Sequence, residues 1–309
     1  MHPAPSIIVF TVLSGLGYGL AFVLGLGLLD PAMLATKLAW LAAIAMIGTG
    51  LLASTFHLGN PQRAWRAFSQ WRSSWLSREG VMAVVTFAPL LWAALVCVID
   101  NRTAPWAGWL VMLGAAATVF CTSMIYAQLK SVDAWHTWLT PACFLAFSFS
   151  GGLILAALAA AWARDHIGAY LAATGAVVTA LAWVLKSIWR KRMLDMAPTS
   201  TAETATRLGA LGSVKQFEPP HMTANYLTSE MVFRIGRKHA SKLFRLAILC
   251  GAAAVLLLLL AGAPLLMGHF ALGQSLIAAA ALAYSIGVAT ERWLFFAEAR
   301  HAVSSFYGS

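Results

Sequence analysis

The stretch STFHLGNPQRAWRAFSQWRSSWLSREG, residues 54–80, holds four arginines, three tryptophans, one histidine and one glutamate between two long apolar runs. Gly59-Asn60-Pro61 stops any helix directly after His57, and Glu79 opens the next apolar run. The stretch therefore reads as a polar connection between two membrane spans, with His57 and Glu79 on the same side of the bilayer. Its middle, PQRAWRAFSQWRSSWL, predicts a re-entrant or surface helix that sets Trp65, Trp71 and Trp75 at head-group level.

The rest of the sequence supports spans on both sides of this connection. Of 309 residues, 60% are hydrophobic and 10% charged, and the mean hydropathy is +0.76, a composition that excludes a soluble domain. A bilayer core of about 30 Å needs about 20 apolar residues of helix. Runs of that length recur without the period-two alternation of a barrel strand. The expectation is an all-α integral membrane protein, a bundle of eight transmembrane helices. The spans fall at about 6–29, 33–56, 79–99, 106–128, 139–162, 166–189, 244–264 and 270–291, within a single membrane domain 1–309. The opening MHPAPSIIVF has neither a basic leader region nor a small-residue cleavage site before its apolar run, so that run is read as a retained span.

Charge gives the orientation. An even number of spans puts both termini on one side, and of 21 Lys and Arg residues only Lys37, Arg102 and Arg164 fall on the other. The positive-inside rule then places both termini and all long loops in the cytoplasm, and the protein in a cytoplasmic membrane as a multi-pass chain. The net charge of +10 gathers at that face, where it meets anionic membrane lipid or an acidic partner protein; no nucleic-acid partner is expected. The longest extramembrane segment, 190–243, starts Thr/Ala/Gly/Ser-rich. It ends in YLTSEMVFRIGRKHASKLFRL, where Ser229 is positioned to cap a basic helix running into the seventh span. That helix suits either snorkelling to lipid or docking a partner. The small-residue pattern SGLGYGLAFVLGLG, 14–27, predicts close helix packing in lipid rather than a phosphate loop.

Several chemistries are excluded. Cys97, Cys121, Cys143 and Cys250 stand singly in apolar runs, so no iron–sulfur cluster and no structural zinc is expected in this chain, and no other metal site. The histidines lie in termini, loops or helix ends, which excludes haem between facing helices. The spans read as nearly free of charge, which argues against a transporter with a midplane site.

A quinone site remains. A quinone head group needs hydrogen-bonding partners at its two oxygens, a proton path to water and an apolar bed just below the interface. His57 and Glu79 are the candidate proton and hydrogen-bond partners. Arg63, Trp71 and Trp75 are candidate walls of the pocket, and Asp133 and His136, in the connection before span five, are candidate members of a proton path. Plainer roles stand beside each of these. His57 can bond the last carbonyls of its helix, Glu79 can answer a helix dipole or pair with Arg78 or Arg63, the tryptophans can be an aromatic belt, and the arginines solvated interface charges.

HLGNPQRAW (57–65), SWLSREG (74–80), DAWHTWLTPACF (133–144) and ERWLFFAEARH (291–301) resemble the membrane anchor subunits of the dimethyl sulfoxide reductase family. The resemblance covers essentially the whole sequence, and through NYLTSEMVFRIGRKHASKLFRL (225–246) it is strongest toward the anchor of cytoplasmic sulfite dehydrogenase. It implies a bacterial inner-membrane anchor that holds a ferredoxin-like iron–sulfur subunit and a molybdopterin catalytic subunit. Such an anchor exchanges electrons with ubiquinone or menaquinone, and the family's functional histidine and glutamate fall on His57 and Glu79. On this reading, electrons pass from sulfite to quinone, and sulfite itself is oxidised in another polypeptide. Two alternatives stay open: a quinol-oxidising anchor of a dimethyl sulfoxide, polysulfide or tetrathionate reductase, and a structural anchor without a quinone site.

Overall fold

With no water inside a bilayer to satisfy backbone N–H and C=O groups, each apolar run closes its own hydrogen bonds as a helix. A computed structural model of the protein describes residues 4–55, 60–197, 201–215, 217–218 and 235–302, and among them there is no strand. The long helices are α1 (Pro5–Gly25), α2 (Leu34–Thr55), α3 (Trp75–Asp100), α4 (Pro105–Ala127), α5 (Leu139–Trp162), α6 (Ile167–Asp195), α8 (Ile235–Leu266) and α9 (Phe270–Ala297). All eight are long and apolar enough to cross a membrane, so the expected all-α, eight-span architecture is what the protein forms. The short helix α7 (Ala202–Thr206) lies outside them, and a ten-residue 3-10 helix, Pro61–Gln70, precedes α3. Because the spans alternate in direction, Trp75 of α3, Asp195 of α6 and Ala297 of α9 share one face, called here the Glu79 face.

The turns on the opposite face are written in local chemistry. Asp30 Oδ1 accepts the Ala32 N–H at 2.9 Å ahead of α2, and Asp165 Oδ1 accepts the Ile167 N–H at 3.0 Å ahead of α6. Asn101 and Arg164 end α3 and α5 in the left-handed region, at φ +54° and +56°. Each turn falls where Pro, Asx or left-handed backbone stops a helix, at Asp30-Pro31, Asp100-Asn101 and Arg164-Asp165.

Sequential helices pack as hairpins, α1 on α2, α3 on α4, α5 on α6 and α8 on α9; α1 also reaches α4 and α5, and α6 reaches α8. The small-residue stripe of α1 makes this central position feasible. A Cβ added at Gly19 would run into the Ser148 carbonyl, and one at Gly152 would run into the backbone of Gly19. The backbones of α1 and α5 therefore touch, as the pattern predicts for packing by dispersion where lipid removes the hydrophobic drive. Leu38, Leu41, Leu52, Val84, Leu91, Leu249, Leu256 and Leu259 are exposed and face the place of lipid tails. Exposed Trp106, Trp109 and Trp162 near one face, with Trp65, Trp71 and Trp138 at the other, match the two aromatic belts of a spanning bundle.

A side chain at the α1–α5 contact must force two backbones apart. Gly152→Val is expected to destabilise the bundle by at least about 1–3 kcal/mol, the usual range for overpacking. Gly48→Val, where a Cβ meets nothing within 4 Å, is the control that should leave stability nearly unchanged. Thermal unfolding of the two variants in detergent measures the difference.

Candidate functional site

Glu79 lies in the second turn of α3, a position where a carboxylate ordinarily reaches water. It is 6% exposed. The cause is local: the 3-10 helix Pro61–Gln70 packs against α3, and Phe68 sits over Gly80, where an added Cβ would be 3.2 Å from the Phe68 ring. Arg78 secures this arrangement, donating from Nε to the Trp71 carbonyl at 3.0 Å and from Nη2 to the Arg72 carbonyl at 2.7 Å, and stacking 4.3 Å over Trp75. Two of its three nitrogens are used on the turn. Glu79 is held instead by α4, through Thr122 Oγ1 at 2.5 Å from its Oε1. Thr122 Oγ1 also lies 3.0 Å from the Thr118 carbonyl.

That pair of contacts is chemically informative. A hydroxyl carries one hydrogen and two lone pairs. Thr122 can donate to Thr118 while accepting from a protonated Glu79, or turn its hydrogen to a Glu79 carboxylate. One contact thus serves both protonation states of the acid. Trp75, half-buried, stands edge-on to Phe120 of α4 at 5.8 Å between ring centres, forming an aromatic wall one turn toward the face from Glu79.

The other sequence-derived candidates are spread more widely. Arg63 and Trp71 are exposed, with Arg72 placed 5.4 Å over the Trp71 ring. Asp133 lines a separate cleft of about 320 Å³ among α6, α8 and the end of α9. The ion pair between Arg190 and Glu298, 2.7 Å apart, and Arg300 line the same cleft. His136 is exposed, its Nδ1 2.7 Å from the carbonyl of Ala127 at the end of α4. The same connection carries Trp135, 2% exposed and stacked 5.1 Å from Phe295, with its Nε1 donating to the Phe295 carbonyl at 3.0 Å. The segment 133–138 is therefore a plug seated on α9. His57 and Ser229 lie outside the described residues.

One cluster escapes a linear reading. Lys186, near the end of the expected sixth span, is 2% exposed inside α6. Its Nζ lies 2.6 Å from Glu291 Oε1, while Arg292 Nε lies 3.0 Å from Glu291 Oε2, and Glu291 is fully buried. The cations are capped by rings, Lys186 Nζ 3.5 Å over Trp189 and Arg292 Cζ 3.8 Å over Phe144. The expectation of spans nearly free of charge thus fails at α6 and α9. Glu291-Arg292 inside an otherwise apolar 28-residue helix was the signal available, since ionisable residues at such positions are costly and retained for a reason. Among the described residues, no group of three or more His, Cys, Asp or Glu is arranged to hold a metal.

Eight spans, a buried carboxyl and a charge cluster behind it define a multi-pass helical membrane protein with a polar compartment near one face. A family model described as "DMSO reductase anchor subunit (DmsC)" matches residues 1–296, and the protein belongs to that family. It is therefore the membrane anchor subunit of an oxidoreductase complex. It is 33% identical to the C subunit of the sulfite dehydrogenase of Allochromatium vinosum, across 100% of its own length and 99% of that protein. It is also 31% identical to the anaerobic dimethyl sulfoxide reductase protein YnfH of Escherichia coli K12, over 49% of its own length and 56% of that one. The C polypeptide of the anaerobic dimethyl sulfoxide reductase of the same organism is 28% identical over 36% and 39%. The resemblance carried by the four motifs is thus a family membership.

Removing the shared carboxylate should leave two buried cations facing each other. Glu291→Gln is expected to cost about 3–5 kcal/mol of stability, the range for breaking a buried pair, and a further Lys186→Met should restore part of it. A double-mutant cycle followed by unfolding in detergent checks both signs.

Proposed function

We propose that this protein is the quinone-reactive anchor of a molybdopterin and iron–sulfur oxidoreductase, and that it passes electrons derived from sulfite to quinone. The buried Glu79, hydrogen-bonded across helices to Thr122 and walled by Trp75 and Phe120, carries the reading. A carboxyl in that setting has no structural counter-ion among the described ion pairs, and its partner hydroxyl suits both of its protonation states. The donor set fits a quinone head group, which needs proton donors beside an apolar bed. Quinone supplies the two-electron, two-proton acceptor; the anchor supplies the protons and the dry walls.

Glu79 holds a proton at its carboxyl oxygens, Thr122 reorients to meet whichever state it is in, and Trp75 with Phe120 keeps bulk water from that oxygen. His57, assigned by the HLG motif, is the second proton partner, and Arg63 and Trp71 border the entrance. Asp133 and His136 belong to a proton route along the same face. The protein acts as a single membrane domain, 1–309, with the segment 190–243 and the arginine-rich connection in the cytoplasm of a bacterial inner membrane. There they meet a ferredoxin-like iron–sulfur subunit and a molybdopterin subunit; the clusters and any metal reside in those partners, and lipid surrounds the bundle. Full-length likeness to a sulfite dehydrogenase subunit favours sulfite as the electron source, whereas likeness to the dimethyl sulfoxide reductase proteins covers half of the sequence or less.

The test is a purification of the tagged protein in mild detergent, with identification of the subunits that accompany it and an assay of sulfite-dependent quinone reduction. Molybdenum and iron–sulfur subunits should co-purify. Glu79→Gln should assemble normally and lower turnover by about a hundredfold, in the range expected for loss of a general acid. An assembled Glu79→Gln complex at full turnover would remove Glu79 from the mechanism.

A further inference from the structure

The charge cluster on α6 and α9 and the Glu79–Thr122 pair on α3 and α4 meet at one small cavity. Its volume is about 20 Å³, and Thr11, Ser14, Thr122, Phe144, Ser148 and Arg292 are among the residues that line it. That is room for one water molecule. Arg292 is 3% exposed, and its Nη1 has no hydrogen-bond partner among the described residues, although its Nε is paired with Glu291. The hydroxyls around the cavity are of the opposite kind. Ser14 donates to the Phe10 carbonyl at 2.6 Å, Ser148 to the Gly15 carbonyl at 2.6 Å and Thr11 to the Ile7 carbonyl at 2.9 Å. Each keeps oxygen lone pairs to accept with. A buried donor without a partner among the described residues belongs to a side chain that lines a cavity rich in acceptors, and a single water there would satisfy both.

Charge points the same way. Lys186, Glu291 and Arg292 together carry one net positive charge in a region with no bulk water, where such a charge acts over longer range than at a surface. Tyr126, one turn beyond Thr122 on α4, stacks on Phe144, the ring that caps Arg292, so the Glu79 contact on α4 and the guanidinium flank the same stretch of that helix.

We propose that Arg292 is a positioning residue for Glu79. Its guanidinium, clamped by Glu291, holds one water against Thr122 and sets a fixed positive charge behind the Glu79 carboxyl. When Glu79 releases its proton, the resulting carboxylate receives the Thr122 hydroxyl hydrogen and faces this charge; reprotonation from water at the Glu79 face restores the acid. The cluster takes no proton itself, since an arginine stays charged throughout. The inference rests on the proton role given above to Glu79.

The experiment uses the intact complex with wild-type anchor and with Glu79→Gln, Arg292→Gln, Arg292→Lys and Thr122→Val. Infrared difference spectra recorded across reduction identify the carboxyl C=O stretch of Glu79 as the band missing in Glu79→Gln. The expected result is a shifted band in Arg292→Gln and in Thr122→Val, with return toward the wild-type position in Arg292→Lys. Turnover of quinone should fall roughly tenfold in the two shifted variants with little change in KM, the mark of a group that acts through preorganised charge rather than by binding substrate. If Arg292→Gln does not assemble, Lys186→Met decides the matter, because it removes the net positive charge of the cluster and leaves the Thr122–Glu79 contact whole; an unshifted Glu79 band with full turnover in it overturns the inference. An unshifted band with full turnover in assembled Arg292→Gln or Thr122→Val overturns the inference while leaving Glu79 in place. Full turnover in Glu79→Gln overturns the proton role itself, and this inference with it.

Discussion

Glu291 holds two cations out of lipid, and much of the bundle is arranged around that one carboxylate. Each buried ion loses several kcal/mol of hydration, a cost met only while opposite charges stay in contact. α6 and α9 therefore cannot part without leaving Lys186 unpaired in hydrocarbon. The rings that cap the cations extend this constraint outward. Trp189 covers Lys186 and also donates to Thr140 at 3.2 Å, while Phe144 covers Arg292 and stacks on Tyr126. Phe295 and Phe296, which follow the cluster along α9, seat Tyr126 and Trp135. In this way the charge on one helix pair fixes the connector between α4 and α5.

The opposite half of the bundle relies on absence of bulk. α1 touches α5 at Gly19 and Gly152, and Gly25 meets Gly108 of α4. Close backbone approach replaces the hydrophobic drive that lipid removes. The threonines of α3 and α4 sit where helices come this near: Thr86 and Thr118 hydroxyls are 3.3 Å apart, and a Cβ at Gly114 would be 2.5 Å from Thr86 Oγ1. Thr122 lies one turn further along the same face of α4, which is why its hydroxyl can reach Glu79.

The two halves join at the Glu79 face. A carboxyl that would be exposed at the start of an isolated helix is buried, with Phe68 packed on the neighbouring Gly80 and Trp75 against Phe120, and its partner Thr122 lines one cavity with the Arg292 side chain. The Arg190–Glu298 pair, Arg300 and Asp133 form a polar cleft at the same face, distinct from the Glu79 compartment.

Eight spans, the turns at Asp30, Asn101 and Arg164, and the close packing of α1 could be read from residue order alone, because helix length, turn chemistry and small-residue spacing act over a few residues. The motifs around Glu79 also disclosed the family. Nothing in the linear order, however, pairs Lys186 with Glu291, 105 positions away, or Glu79 with Thr122, 43 away. In linear order Lys186 and Glu291-Arg292 stand near the ends of their expected spans; their burial follows from which helix faces meet. Charge sign and hydropathy are properties of single residues, and so the sequence by itself determined the class of protein and its spans. Desolvation and hydrogen-bond partnership belong to neighbours brought together from different helices, so the polar compartment behind Glu79 was decided by the tertiary structure.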